Sequence, residues 1–297
     1  MRHPRRASRD PLQGAAPGAR QSRFPGAPAL HRLVTGSIAW LAVVCALVGC
    51  AALPVDEEPS TVEQALAASE WARASDWGLL GTTPGWRHQR YGSARPTRYG
   101  VGEREGRPAV HANSRAGNST LRLPLGAPVD PALRLAFSWL VPQLNHKADL
   151  RDAEIDDAVV RVILTFDGDR DLFRPRDRWL SEIVQLVTGE PMPYATLMYV
   201  WDHRYPAGTV VPNPHTDRIR MLVVQSGEEG VGRWNDLERD VAADFRAAFG
   251  EAPGRLTGLG LMTDSNNTGE SVQAWFGPLV LRPAASPSLA AVPSDKH

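Results

Sequence analysis

Two runs of sequence decide the fold: LRLAFSWLV at residues 133–141 and AVVRVILTFDG at residues 158–168. In the first run every second residue is apolar, so an extended strand would present all of these side chains on one face. The second run is apolar almost throughout, which is typical of a strand at the centre of a sheet. The intervening NHKADLRDAEIDD is polar and acidic, as exposed loops are. We therefore predict two core strands joined by a surface connection.

Shorter β-type runs extend this pattern on both sides and are separated by turns rich in Gly and Pro. Helices are predicted from Ser60 to about Trp71, at residues 174–188, and from Asn235 to Gly250. A parallel sheet would need a helix in most connections between strands. The pattern instead predicts a mainly β fold, an antiparallel β-sandwich of jelly-roll type with two inserted helices. The predicted strands are 97–103, 108–113, 119–123, 133–141, 158–168, 196–202 and 218–226, with two more between 255 and 283.

The first 50 residues have the composition of an export leader. An arginine-rich segment precedes an apolar run at residues 33–50, which ends in Leu47-Val48-Gly49-Cys50 and resembles the bacterial lipobox. In a lipobox the cysteine is acylated and becomes the first residue of the mature protein. An uncleaved membrane helix is the alternative, although the run is marginal in length for a bilayer span. We expect a leader and lipoprotein signal at 1–50, a tether at 51–59, one β-sandwich domain at 60–283 and a flexible tail at 284–297.

The cysteines and the net charge narrow the classes of function. Cys45 and Cys50 both lie in the leader, so the domain after them has neither a disulfide nor a thiolate for catalysis or zinc binding. The leader holds seven of the 33 basic residues and one of the 33 acidic residues. The rest of the chain, after Cys50, therefore has a net charge of −6 with His neutral. This charge argues against nucleic-acid binding. Acyl chains on Cys50 would attach the protein to a membrane, and Ala51 implies sorting to the outer membrane, in the bacterial periplasm.

A candidate ligand-binding face lies in YATLMYVWDHRYPAGTVVPNPHTDRIRMLVV, residues 194–224, which has the pattern of a β-hairpin. If Met198, Val200 and Met221 point inward, the opposite face carries aromatic and basic side chains. Aromatic rings beside hydrogen-bond donors suit a sugar ring, which stacks on the rings and is bound at its rim. The alternatives are that the arginine side chains merely lie over aromatic rings on an exposed sheet face, or that the inserted helices cover this face. The predicted ligand-binding residues are Tyr199, Trp201, Arg218 and Arg220.

Ionisable residues in the same region are candidates for catalysis. Asp202, His203 and His215 lie in or beside the predicted loop, and Asp167 follows a core strand. Such groups could act as the acid and base of a hydrolase or lyase, and a glycosidase needs two carboxyl groups about 5 to 10 Å apart. The histidine spacing matches no helical zinc motif. The alternative is that these groups are solvated loop residues.

A segment near the C-terminus, Asp264 to Glu270, places oxygen-bearing residues at alternate positions. Calcium binds loops of this kind in extracellular modules, which makes Asp264, Asn266 and Thr268 candidate ligands. An Asn/Gly turn between two strands explains the same residues without a metal. No other cofactor is expected.

Four blocks carry a family resemblance: FSWLVPQLNHKADLRDAEIDDAVVRVILTFDGD, PYATLMYVWDHRYPAGTVVPNPHTDRIRMLVVQSG, WNDLERDVAADFRAAFG and LMTDSNNTGESVQAWFGPLVL. They resemble an uncharacterised bacterial family of exported proteins, a domain of unknown function (number 3047), over about residues 70–283. The resemblance implies export and brings no activity with it. A weaker likeness, at the level of the fold, is to jelly-roll carbohydrate-binding modules.

The leading hypothesis is a lipid-anchored periplasmic module that binds a glycan or envelope polymer. The first alternative is a polysaccharide-active hydrolase or lyase. The second is a structural envelope lipoprotein that binds another protein.

Overall fold

The computed structural model of the chain describes residues 61–76, 85–188, 190–214 and 216–284. Cys50, His215, the leader, the tether and the tail from residue 285 lie outside the described residues, so the predictions made for them stay predictions. Within the described ranges, no helix combines the length and the apolar character that a bilayer crossing requires.

The described residues form two β-sheets that pack face to face. One sheet has seven strands in the order β1-β4-β11-β6-β7-β9-β8, and the other has six, in the order β10-β5-β12-β3-β2 with β13 also pairing with β5. The predicted mainly β sandwich of jelly-roll type is confirmed. The strands are β1 (Arg87–Arg90), β2 (Arg98–Arg104), β3 (Arg107–Arg115), β4 (Ser119–Val129), β5 (Leu133–Leu140), β6 (Arg161–Phe166), β7 (Ala195–Asp202), β8 (Val210–Pro212), β9 (Ile219–Ser226), β10 (Trp234–Asp240), β11 (Leu256–Met262), β12 (Ser271–Phe276) and β13 (Val280–Pro283).

Four α-helices accompany the strands in the described part of the chain: α1 (Thr61–Ala67), α2 (Glu70–Ala74), α3 (Pro175–Thr188) and α4 (Val241–Phe249). Helix α3 has the predicted bounds to within one residue. The predicted helix from Asn235 is wrong in its first half, because residues 234–240 form β10 and pair along their whole length with β5. The N-cap of α4 is Asp240, whose side chain accepts a hydrogen bond from the amide of Ala243.

The predicted hairpin at residues 194–224 is also wrong. Strands β7 and β9 lie side by side, but they are parallel, with Thr196 opposite Ile219 and Val200 opposite Val223. The chain between them returns along the outer edge of the sheet as β8, which pairs antiparallel with β9. A β-hairpin joins two antiparallel strands. Because residues 210–212 form the additional strand β8, β7 and β9 lie parallel and do not form a hairpin.

The core lies between the sheets and is rich in aromatic residues. Phe137 and Trp139 of β5 stack on Tyr199 and Trp201 of β7, with ring centroids 5.7 Å and 6.4 Å apart. Tyr199 is fully buried and Trp201 is 2% exposed. The prediction that these two residues form an exposed face is therefore wrong: their side of β7 is the interior of the sandwich.

The opposite side of β7 is buried as well. Val200, Met221 and Val223 form a second apolar cluster with Leu150 and Ala158, which belong to the connection between β5 and β6. That connection, expected to be a solvated loop, is instead folded over the seven-stranded sheet. Since both faces of β7 are covered, this sheet leaves no open aromatic surface around Trp201.

Candidate functional site

The two arginines of the predicted binding face have structural partners. The Arg218 guanidinium lies 4.9 Å from the centre of the Tyr194 ring and 3.3 Å from the Glu251 carboxylate. The Arg220 guanidinium lies 5.9 Å from the centre of the Phe249 ring. These contacts join helix α4 and the segment after it to the start of β9. The four residues predicted to bind a ligand therefore belong to packing contacts.

The candidate acids do not come together as a catalytic pair. Asp167 follows the end of β6 that pairs with Ala195, whereas Asp202 lies at the opposite end of β7. Along the strand direction, about eight residues separate Asp167 from Asp202, which at roughly 3.3 Å per residue is about 25 Å. A glycosidase needs its two carboxyl groups within about 10 Å. Asp167 and Asp202 therefore cannot act together on one glycosidic bond.

Asp202 and His203 have roles that the fold explains. The buried Asp202 carboxylate accepts hydrogen bonds of 2.7 Å from the amides of Arg204 and Tyr205, which fixes the turn after β7. The His203 ring packs edge-on against His146 at 5.0 Å, and burial lowers the pKa of His203. A histidine ring that packs in this turn does not need a catalytic function to explain its position. His215 lies outside the described residues.

Two of the three calcium candidates, Asp264 and Thr268, are engaged in other contacts, whereas the buried side-chain oxygen of Asn266 has no hydrogen-bond partner among the described residues. Both carboxylate oxygens of Asp264 lie 3.0 Å from the Arg161 guanidinium, deep below the surface. Thr268 donates its hydroxyl to Asp157 at 2.6 Å. Throughout the part of the chain that the structure describes, no three His, Asp or Glu side chains converge on a metal position. Arg161 supplies the positive charge that calcium would bring to Asp264.

An open polar surface with aromatic rings lies elsewhere, on the outer side of the six-stranded sheet. We call it the tryptophan face. Cross-strand register aligns Trp234 with Leu140, Leu140 with Trp275, and Trp275 with His111. The two tryptophans are partly exposed, and two strand spacings separate them, about 10 Å. The face consists of His111, Asn113, Trp234, Gln273 and Trp275.

Local contacts hold the rings of the tryptophan face in place. The His111 ring stacks on Trp275 with centroids 4.5 Å apart, and its Nε2 lies 3.3 Å from the Gln273 side-chain oxygen. The Arg104 guanidinium lies 4.7 Å from the centre of the Trp275 ring. Trp234 donates its indole N–H to the Arg104 carbonyl at 3.0 Å. These contacts orient both indoles while leaving part of each ring at the surface.

An open groove of about 340 Å³ runs beside the tryptophan face. Arg107, Asp236 and Ser138 line it, and the first two form an ion pair of 2.6 Å. Next to His111, strand β2 carries Gly100, where an added Cβ would meet nothing within 4 Å. The volume of the groove falls in the usual range for ligand-binding clefts.

The sequence contained a signal for this face that the predictions did not use. In SVQAWF, residues 271–276, the buried Val272, Ala274 and Phe276 alternate with the outward Ser271, Gln273 and Trp275. The same alternation places His111 and Asn113 outward on β3. A tryptophan on the polar side of an alternating strand is the pattern that marks a surface aromatic residue.

Comparison with known protein families supports the resemblance noted above. Residues 84–280 match the family described as "Protein of unknown function (DUF3047)". The chain belongs to this family. Both tryptophans of the face, together with β3, β5, β10 and β12, lie inside the part that defines DUF3047. A search of curated proteins found no match.

Solved structures similar to this DUF3047 chain include proteins of carbohydrate metabolism. A family 11 carbohydrate-binding module of a cellulosomal cellulase from Clostridium thermocellum shares 8% identity, with a TM-score of 0.34, and the match covers 65% of this chain and 85% of the module. For the xyloglucanase domain of a type three effector from Sinorhizobium fredii these values are 10%, 0.34, 66% and 92%. For a family 11 xylanase from Neocallimastix patriciarum they are 10%, 0.32, 66% and 99%. At TM-scores this low, the likenesses carry no argument about ligand or activity.

Proposed function

We propose that the protein is an envelope-located glycan-binding module that uses the tryptophan face. One observation carries the proposal: two partly exposed indoles lie on a rigid sheet beside an open groove of about 340 Å³. Indole rings present a flat apolar surface on which the apolar face of a sugar ring can stack. The groove gives a polymer a path across the sheet.

The polar residues of the face supply the matching hydrogen bonds. Gln273 and Asn113 lie opposite each other on neighbouring strands, and both side chains carry amide donors and acceptors. Sugar hydroxyl groups need both kinds of partner at the edge of a stacked ring. Arg104 is an exposed side chain, so a sugar can displace its guanidinium from Trp275 without unfolding the sheet. The face can therefore bind a sugar by stacking and by hydrogen bonds.

Replacing Trp275 with alanine is expected to weaken binding by at least about tenfold, because a central aromatic residue usually dominates a binding surface. The measurement is affinity electrophoresis or titration calorimetry against a panel of neutral and acidic polysaccharides. Thermal unfolding of the variant checks that the sandwich is intact.

Trp179→Ala is the matched control for this experiment. Trp179 is 50% exposed on α3, and Asp177 of α3 accepts a hydrogen bond from Thr216 in the connection between β8 and β9, which belong to the other sheet. Its loss should leave affinity unchanged. Equal affinities for wild-type protein and Trp275→Ala, at equal stability, would contradict the proposal.

The location of the protein is part of the same proposal. Acylation of Cys50 would hold the module in the periplasm, on the outer membrane, where it could meet an envelope polymer. Several acyl chains bind a membrane far more firmly than one. The tether between Cys50 and the first described residue, Thr61, would let the module reach ligands near the membrane.

Replacing Cys50 with serine is expected to release the protein from the membrane fraction. In a bacterial host that processes lipoproteins, the wild type should incorporate labelled palmitate and enter the detergent phase on phase separation, whereas Cys50→Ser should do neither. Cys45→Ser is the control, because it removes a cysteine from the same apolar run and leaves the lipobox intact. Palmitate incorporation by Cys50→Ser would disprove the anchor.

A further inference from the structure

A small pocket of about 50 Å³ opens at one end of the tryptophan face. Three arginines surround it, together with a side-chain amide that also belongs to the tryptophan face. The pocket has room for more than one water molecule, each of which takes about 30 Å³ in the liquid, and is far too small for a sugar ring and its neighbours. The lining residues are Arg95, Pro96, Arg98, Asn113 and Arg115.

The fold gathers these arginines from three segments. Arg98 of β2 lies directly opposite Asn113 of β3, and Arg115 follows two residues later on the same side of β3. The third arginine, Arg95, lies in the segment before β2. A β-bridge between Arg95 and Gly117 holds this segment, and the Asn118 amide donates to the Arg95 carbonyl at 2.8 Å. These backbone contacts fix the positions from which the three side chains reach the pocket.

Gly117 permits the close approach of the Arg95 segment. A Cβ atom at Gly117 would lie 2.7 Å from the Arg95 carbonyl oxygen, closer than real Cβ atoms come to a backbone oxygen. Ser114 secures the same turn by donating its hydroxyl to the Gly117 carbonyl at 2.8 Å. The close position of the Arg95 backbone beside the turn is therefore built into the fold.

The charges of the pocket are not balanced by the protein. Other arginines have carboxylate partners: Arg107 pairs with Asp236, Arg134 with Glu238 and Arg161 with Asp264. Within the described ranges, Arg95, Arg98 and Arg115 form no ion pair and donate no side-chain hydrogen bond to another residue. The Glu270 carboxylate, next to the turn, is bound by Lys147. All three side chains are exposed, so solvent weakens the repulsion between their charges, and an anion bound in the concavity would offset what remains.

We infer that this pocket binds the anionic substituent of an acidic glycan, a carboxylate or a sulfate ester, whose sugar rings lie on the tryptophan face. The inference rests on the proposed function and names the class of ligand. Guanidinium groups donate paired hydrogen bonds to planar or tetrahedral oxyanions. The pocket and the indoles belong to one continuous surface: the row of Trp275 and His111 is followed by Gln273 and Asn113, and then by Ser271 and Arg115. At about 6.7 Å for every second residue, the distance from the first row to the last is about 13 Å.

The test compares three polymers: polygalacturonate, which carries carboxylates, dextran sulfate, which carries sulfate esters, and dextran, which is neutral. The intact protein should bind at least one acidic polymer about tenfold or more tightly than dextran. The double variant Arg98→Gln/Arg115→Gln should reduce that preference by at least about tenfold, because each charged hydrogen bond contributes strongly. Which of the two acidic polymers is preferred distinguishes the carboxylate from the sulfate ester.

The double variant Arg134→Gln/Arg282→Gln is the control for net charge. These arginines face each other on β5 and β13, on the outer side of the same sheet and away from the pocket. The control removes the same charge as the test variant and should keep the preference for the acidic polymer.

The outcomes separate this inference from the proposed function. If Trp275→Ala abolishes binding while the wild type shows no acidic preference, or the Arg98→Gln/Arg115→Gln variant keeps that preference, the acidic class is wrong and the glycan-binding function stands. If no polysaccharide binds, both are wrong. Binding to phosphatidylglycerol vesicles that requires the two arginines, without any polysaccharide preference, would assign the pocket to a lipid surface and overturn the inference.

Discussion

Replacing Asp264 with alanine is expected to lower the free energy of unfolding by about 3–5 kcal/mol, because the variant would leave the Arg161 charge buried without a partner. Arg161 and Asp264 are 5% and 4% exposed. Two bonds of 3.0 Å join them, and Asp264 also accepts the Ala158 amide at 3.0 Å. The pair thus ties β6 to the segment after β11. Urea denaturation measures the change.

The intact pair is not a large net source of stability. Burial raises the pKa of Asp264 to about 6 although Arg161 opposes this rise. Taking both charges of a buried pair out of water costs about as much free energy as their attraction returns. The double variant Arg161→Met/Asp264→Leu should therefore recover most of the loss. Glu238→Ala, which breaks an exposed pair with Arg134, should change stability by less than about 1 kcal/mol. A loss of that small size for Asp264→Ala would mean that water reaches Arg161.

Trp201→Ala is expected to lower the free energy of unfolding by about 3–5 kcal/mol, as large-to-small changes of buried aromatic residues do. Trp201 stacks on Trp139 at 6.4 Å, and its indole donates to the Gly227 carbonyl at 2.9 Å. The substitution would leave a cavity between the sheets and an unpaired carbonyl. Urea denaturation and near-ultraviolet circular dichroism report both effects.

Comparing Trp201→Ala with Trp275→Ala distinguishes the effect of losing a core tryptophan from that of losing a surface tryptophan. Trp275 is partly exposed, so its loss should cost much less stability than the loss of Trp201 and should act on glycan affinity instead. If Trp201→Ala kept wild-type stability and lost glycan affinity, the first prediction from the sequence, that Trp201 lies in a binding face, would be correct after all.

Much of the fold could be predicted from the sequence because strand patterns are local. The alternation in residues 133–141 identified β5, and the amphipathic stripe and Pro175 identified α3. Strand β10 is not predicted from the sequence, because Asn235 with Glu238 three residues later has the pattern of a helix N-terminus. In the structure, seven cross-strand pairs with β5 stabilise a strand instead. Partners far away in sequence outweigh a local capping signal, and one sequence does not reveal them.

The candidate site could not be predicted for a similar reason. Alternation assigns Tyr199 and Trp201 to one side of β7, but it does not say which side is the interior. In β7 both sides are apolar enough to be buried, and the connection that brings Leu150 to the outer side is polar in composition. On β12, by contrast, one side is polar, so Trp275 could have been assigned to the surface from its own strand.

The edge strands of the two sheets also determine whether another copy of the protein can add a strand to them. The seven-stranded sheet ends in β1 and β8, and the six-stranded sheet ends in β10 and β2. Proline and side chains of like or mixed charge discourage another chain from adding a strand at such a margin. The residues in question are Arg87 and Arg90 on β1, Pro212 on β8, Asp236 and Glu238 on β10, and Arg98 and Arg104 on β2. Many copies of the protein at high concentration would therefore remain separate molecules instead of joining into a shared sheet.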